Sequence, residues 1–336
     1  MMIFLLKNIK RSKAYAYFVK YFLIHIFNFF WEYVYNILGK ILFYVWKLTR
    51  PNNTYLKINK NKGNKLISGD NELTELANLI KLDLPKEKLR YVKNKMIKDN
   101  DKDIKKFSEI VTEHLSEETC KKIYDFSISE RVINTVVNYL GVFPILSIVQ
   151  VYYNIPVDGD KLEGSKLWHQ DGFGYKSLDF FIPVTEVDDE SGPLYISDRH
   201  PEFGIFLKFQ NATNNKIPWK AGRVPLYEFN KIYQENQISK LHGKIGNALL
   251  CDSFQCYHRG GACKSKDRLM LRLSYQTPDA IRLKKPLEYL SKYKIIGNNF
   301  ILKKLYKYLL FYRGFLFNEK IKENFIHMYH FLTVVK

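Results

Sequence analysis

The sequence predicts an α+β protein, because helical patterns run up to about residue 140 and short β-rich runs bounded by Gly, Pro, Asp and Ser take over from Ile145. Helices first and strands after them point to a layered arrangement around a sandwich or barrel. The 336 residues suffice for one large domain or two ordinary ones. With 46% hydrophobic and 15% aromatic residues there is ample material for a core, which excludes a chain disordered throughout.

The formal charge of +19 is unevenly placed. Residues 1–50 hold eight Lys/Arg against one Glu, and residues 281–336 hold twelve against three acids. A fold that reads nucleic acid through its centre carries its basic patch there; the near-neutral middle makes nucleic acid an unlikely partner. Cys120, Cys251, Cys256 and Cys263 form no CxxC pair, so a reduced, cytoplasmic setting is expected.

Taken in order, residues 1–50 form a basic, aromatic, amphipathic helical segment. Within 21–46, Lys20, Glu32 and Lys40 border or break the apolar run, so a transmembrane span is not expected. His25, Asn28, Glu32, Asn36 and Lys40 recur at intervals of 3, 4, 4 and 4, which makes one polar stripe on a helix otherwise apolar. Such a helix either packs on the domain or lies in a membrane interface. A signal peptide is disfavoured, since the A-x-A at Ala14 to Ala16 precedes the apolar run. Residues 51–72 are polar and turn-rich and read as a linker. Helices are expected at about 72–82, 102–115, from Ser116 onward with that serine as N-cap, and at about 129–140. Strands are expected in "ILSIVQVYYNI", "LDFFIPVTEV", "GPLYIS", "NALLCDS" and "RLMLRLSYQTP". The domain thus spans 73–280, with its β core at about 145–280, and residues 281–336 form a second basic, aromatic helical tail.

The chemistry concentrates in "LWHQDGFGYKSLDFFIP". His169 and Asp171, two apart on an extended chain, point to one face. Downstream, a glycine, an apolar strand and an acidic turn lead into His258, which is followed by Gly260 and Gly261; ten residues beyond it, Arg268 opens another apolar strand. A buried arginine needs an anionic partner. Two imidazoles and a carboxylate can occupy one face of an octahedral ion and leave the other open, as in non-haem Fe(II) oxygenases. A hydrogen-bonded structural pair and a zinc site built from Cys251, Cys256, His258 and Cys263 are the rivals. The cysteine spacing lacks the paired geometry of structural zinc.

These motifs resemble the phytanoyl-CoA dioxygenase family of Fe(II)/2-oxoglutarate-dependent oxygenases. The H-x-D falls on His169 and Asp171, the "ESGPL" turn on Glu190 to Leu194, and the "H-x-G-G" on His258 to Gly261. The resemblance covers roughly 140–280. It implies a double-stranded β-helix (jelly-roll) core, Fe(II) held by His169, Asp171 and His258, and O2 and 2-oxoglutarate as cosubstrates. It further implies that Arg268 grips the far carboxylate of 2-oxoglutarate, with Arg272 as a rival, and that Phe181 lies near the cosubstrate. Hydroxylation with release of succinate and CO2 is the implied reaction. Where the family usually reads P-G-S-H, this chain has Ser197-Asp198-Arg199-His200, which leaves the substrate open, and 202–244 reads as a substrate-facing insert.

The basic, aromatic ends favour a lipid, acyl or lipid-linked sugar substrate, met at an anionic membrane surface by a cytoplasmic, peripherally attached protein. The alternatives are a hydroxylase of a small soluble metabolite and a catalytically silent jelly-roll that binds a membrane.

Overall fold

Nine strands, all paired antiparallel, build two sheets among the described residues. The computed structural model describes residues 37, 39–48, 55–100, 107–156, 164–171, 176–200 and 223–277. The expectations placed on residues 1–36, on most of the insert at 201–222 and on the tail at 281–336 lie outside the described residues.

The larger sheet runs in the order β1 (Asn64–Ile67), β7 (Ala248–Cys251), β4 (Ser177–Pro183), β9 (Arg268–Gln276), β3 (Ile145–Asn154), β2 (Ser108–Ile110). The smaller has β6 (Ile238–Leu241), β5 (Leu194–Ser197) and β8 (His258–Gly260). Alternation along the strands gives each sheet two faces. Leu178, Phe180 and Ile182 of β4 and Leu269, Leu271, Leu273 and Tyr275 of β9 join one core with the helices. The helices supplying its other wall are α1 (Asn71–Asp83), α2 (Lys86–Asn100), α3 (Glu117–Ser127) and α4 (Glu130–Leu140). The opposite face carries Phe181, Leu249, Cys251 and Met270, which meet Leu194, Ile196 and Leu241 of the smaller sheet in a second core. The two sheets therefore pack face to face, and the large one is buried on both sides. That explains why its central strands read as nearly continuous apolar runs.

Local chemistry fixes the helix starts. Asp70, Ser116 and Ser129 each accept a backbone N–H three residues on, from Leu73, Thr119 and Val132. Gly141 then ends α4 in the left-handed conformation at φ 74°. Helix α2 has no counterpart in the sequence reading. Its Leu89, Val92 and Met96 keep helical spacing, but six Lys/Arg in fifteen residues mask the apolar face.

Two expectations are corrected. The helix expected at 102–115 is, over its described part, the edge strand β2 followed by a single 3-10 turn at Thr112–His114. The Val151 N–H donates to the Thr112 hydroxyl at 2.8 Å and Val111 N–H donates to the Val151 carbonyl at 2.9 Å, so the segment pairs with β3 instead of coiling. The linker expected at 51–72 contains β1, whose pairing with β7 is anchored by Asn64, buried against Ser197 and Asp198. The β core accordingly begins well before residue 145. In the substrate-facing insert expected at 202–244, the described part, 223–244, holds a short helix α5 (Leu226–Phe229) and strand β6, which pairs with β5.

Helical residues 39–48 close the helical layer. Leu42 and Trp46 enter the first core, and the Trp46 indole donates to the Asn134 side chain. Ile41, Tyr44 and Leu48 face outward. No helix among the described residues is long and apolar enough to cross a membrane.

Candidate metal centre

His169 and His258 are brought side by side by backbone pairing. Each donates its N–H to the other's carbonyl, at 3.0 and 2.9 Å, as an isolated antiparallel bridge that extends the smaller sheet. His258 in turn faces Ile196 of β5 across that sheet, and Ile196 points into the inter-sheet core. Both imidazoles therefore point between the sheets, 4.3 Å apart between ring centroids. Asp171 follows on the same side, its N–H donating to the Ser253 carbonyl at 2.9 Å.

Two glycines make this register possible. A Cβ on Gly192 would lie 2.5 Å from the Ala262 carbonyl, and one on Gly261 would lie 2.6 Å from the Pro193 oxygen. The "ESGPL" turn and the "HRGG" stretch are thus pressed backbone to backbone, with Gly261 N–H donating to Pro193 O at 2.7 Å. The physical reason for both motifs is that close approach.

Ring orientation is equally specific. His169 Nδ1 donates to the Leu167 carbonyl at 2.8 Å, which leaves Nε2 with its lone pair. His258 Nδ1 lies 3.5 Å from the Cys256 carbonyl in the same sense. The two Nε2 atoms stand 3.9 and 3.7 Å from the Asp171 carboxylate oxygens. One ligand atom from each residue falls within 4.8 Å of the others, and the three form the one His/Cys/Asp/Glu group able to hold a metal ion among the described residues. Cys251, Cys256 and Cys263 are free, buried and no part of it.

Electrostatics hold the donors in their ligating state. Burial, helped by the neighbouring His258, pushes His169 down to about 3, and burial lowers His258 as well, so both imidazoles are neutral at pH 7. Burial opposes ionisation of Asp171, but Arg272 and the two imidazoles outweigh it and hold the carboxyl below its ordinary range. Neutral nitrogen donors and an ionised carboxylate are what a hard or borderline dication requires.

The remaining expected residues also lie in the interior. Arg268 and Arg272 both face between the sheets from β9, in opposite circumstances. Arg272 Nη2 donates to Asp171 at 2.5 Å and to Asp179 of β4 at 2.6 Å. Arg268 is 7% exposed and, among the described residues, its one hydrogen bond is to the Asn154 side chain at 3.3 Å. Its Nε and Nη1 are buried without a partner, and burial lowers its pKa. Phe181 lies flat beneath the Arg272 guanidinium, whose carbon is 5.2 Å from the ring centre.

Sequence reasoning missed Asp179. The signal was present: an acid inside "SLDFFIP" must face a core, and a buried charge needs a partner. The loop Ser197–His200 is tied down by Asp198 to Asn64 and Lys62, and by a ring contact between His200 and Tyr233. On the outer face of the smaller sheet, Trp168, Phe229 and Tyr233 stack at 3.9 and 4.5 Å, closing the back of the site.

No family model and no curated protein matches the chain. Solved structures do. The epimerase SnoN in complex with Fe3+, alpha ketoglutarate and nogalamycin RO is 12% identical, with a TM-score of 0.39 over 71% of this chain and 89% of that one. The alpha ketoglutarate dependent carbocyclase SnoK from nogalamycin biosynthesis is 11% identical, with a TM-score of 0.39 over 70% and 88%. EctD from S. alaskensis is 17% identical, with a TM-score of 0.39 over 67% and 76%. Those descriptions belong to those proteins. At this site the donor set itself carries the chemistry.

Proposed function

We propose that the protein is an Fe(II)/2-oxoglutarate-dependent oxygenase of the phytanoyl-CoA dioxygenase type, with the two packed sheets as its jelly-roll core. The observation that carries this reading is the buried set His169, Asp171 and His258, whose free Nε2 atoms and carboxylate converge. The residues fit the metal: two neutral imidazoles and one carboxylate leave further coordination positions for a cosubstrate. When bound, iron and 2-oxoglutarate supply oxidation of a substrate C–H bond by O2, with release of succinate and CO2.

The chain's own residues divide the remaining tasks. The Leu167 and Cys256 carbonyls fix the imidazole orientation. Arg268, buried and with free donors, receives the far carboxylate of 2-oxoglutarate through its planar fork. Arg272 is disfavoured as that anchor, because two carboxylates already occupy it. Phe181 supports the Arg272 guanidinium and keeps water from the interior. Hydroxylation of a substrate carbon is the proposed outcome.

Anaerobic addition of Fe(II) and 2-oxoglutarate to the full chain should produce a weak visible charge-transfer band. His169→Ala and Asp171→Ala should abolish it. Stoichiometric tight zinc with no band dependent on 2-oxoglutarate would overturn the reading.

For the substrate we propose a lipid or acyl chain met at an anionic membrane surface. Support comes from the outward Ile41, Tyr44 and Leu48 on helical residues 39–48, which also carry Lys40 and Lys47, and from the basic ends of the sequence. Sedimentation with phosphatidylserine vesicles at low salt should carry the protein down, and Ile41→Ser/Tyr44→Ser/Leu48→Ser should leave it in solution. An intact chain that stays in solution with anionic vesicles at low salt would argue for a soluble metabolite instead. Because Leu42 and Trp46 belong to the core, the substitutions spare them.

A further inference from the structure

A second carboxylate stands behind the metal-binding one, and ligation does not account for it. Asp179 is fully buried on β4, between Cys251 of β7 and Ser274 of β9. Its Oδ2 accepts from Arg272 Nη2 at 2.6 Å, while its Oδ1 has no partner among the described residues. The same nitrogen donates to Asp171 Oδ2 at 2.5 Å, so one NH2 group bridges the two acids. Asp179 itself is outside the group of potential ligands.

Consider the charges without Asp179. Arg272 and Asp171 would form a closed, neutral pair in a dry interior, and the guanidinium would hold the ligand carboxylate against any incoming cation. With Asp179 present, two carboxylates share one guanidinium beside two neutral imidazoles, and one net negative charge is left facing the metal position. Low-dielectric surroundings make that difference large for a dication.

Resting on the metal reading above, we propose that Asp179 is a positioning residue that acts through Arg272. It draws off part of the guanidinium's charge, keeps Asp171 oriented and available, and so sets the metal affinity of the site. Partners of ligating groups typically change metal affinity 10–100-fold when removed.

The test is anaerobic titration of the full chain with Co(II), read by d–d absorption and calorimetry, in four proteins. Asp179→Asn keeps an acceptor for Arg272 but removes the charge, and should weaken Co(II) binding by roughly 10–100-fold. Ser274→Ala, a change at the neighbouring position with no charge effect, should bind as wild type does. Asp179→Asn/Arg272→Gln removes both compensating charges and restores the single negative charge of Asp171, so its affinity should recover to within about fivefold of wild type. A structural role alone would make the double variant no better than the single one. Wild-type affinity in Asp179→Asn, or no recovery in the double variant, overturns the proposal. Should Asp179→Asn fail to fold, the double variant decides alone, and a loss beyond tenfold in it overturns the proposal. A wild-type chain that binds no Co(II) would instead bring down the metal reading itself, and this inference with it.

Discussion

The two faces of the six-stranded sheet are equally dry and chemically opposite. Toward the helices, β4 and β9 present Leu178, Phe180, Ile182, Leu269, Leu271 and Leu273, all at most 2% exposed. Toward the smaller sheet the same strands present Asp179, Arg268, Arg272, Ser274 and Gln276, all with polar or charged groups. Burial of the first set drives folding: fully burying one such side chain is worth roughly 1.5–3 kcal/mol. Burial of the second set opposes folding unless each charge finds a partner. β9 thus carries apolar core residues at its odd positions and, beside Met270 of the second core, charged and polar residues at its even ones, which differ again among themselves. Arg272 is paired with two carboxylates through one nitrogen, whereas Arg268 has no anionic partner among the described residues.

That contrast between the arginines can be broken in one experiment. Removing one partner of a buried ion pair costs roughly 3–5 kcal/mol. Arg272→Met strands Asp171 and Asp179, so the loss should fall on the fold, as a drop of about that size in unfolding free energy without any cosubstrate. Arg268→Met removes a cation that has no counter-charge, so stability should hold or rise. Its cost should appear only with 2-oxoglutarate, as a requirement raised by about two to four orders of magnitude. Arg268→Lys should recover part of this, since the charge returns but the planar fork does not. Chemical denaturation beside a 2-oxoglutarate titration of succinate formation separates the two. The reverse ranking in the titration would move the anchor to Arg272.

Much of this was legible in the sequence, for identifiable reasons. The three candidate ligands stood out by spacing: an extended chain places residues two apart on one face, and the glycines after His258 mark a close backbone approach. Strands β3, β4, β5, β7 and β9 were visible as β-rich apolar runs bounded by turn residues, with β4 and β7 buried along their whole length. Strands β1, β2, β6 and β8 were not, because half or more of their few positions are polar or glycine and their partners are remote in sequence. Pairing partners are a property of the fold, which also explains why the sequence favoured Arg268 but left Arg272 as a rival. The two share strand parity, and only the arrival of Asp179 from β4 and Asp171 from the preceding loop distinguishes them.

The helix-facing side has its own buried carboxylate, and it sharpens the comparison. Asp252 has no exposure, yet its hydrogen-bond partners among the described residues are neutral: the Tyr139 hydroxyl at 3.0 Å, Ser177, and the backbone N–H groups of Phe254 and Gln255. Without a guanidinium such as Asp171 and Asp179 share, desolvation wins and raises its pKa to about 6 from an ordinary 3.8. A carboxyl whose folded pKa is raised binds its proton more tightly in the folded state. Its contribution to stability is therefore complete below about pH 4 and is lost as pH climbs through 6, the opposite of a salt-bridged acid. A shift of that size corresponds to about 3 kcal/mol between the two limits. Asp252→Asn cannot titrate, so the difference in unfolding free energy between wild type and variant should drift against wild type by about that amount from pH 4 to pH 7. Urea denaturation at half-unit pH steps gives the difference directly, and the native contributions of all other groups cancel in it. A flat difference would mean that Asp252 stays ionised in the fold throughout, and that its hydroxyl and backbone donors alone do for one carboxylate what Arg272 does for two.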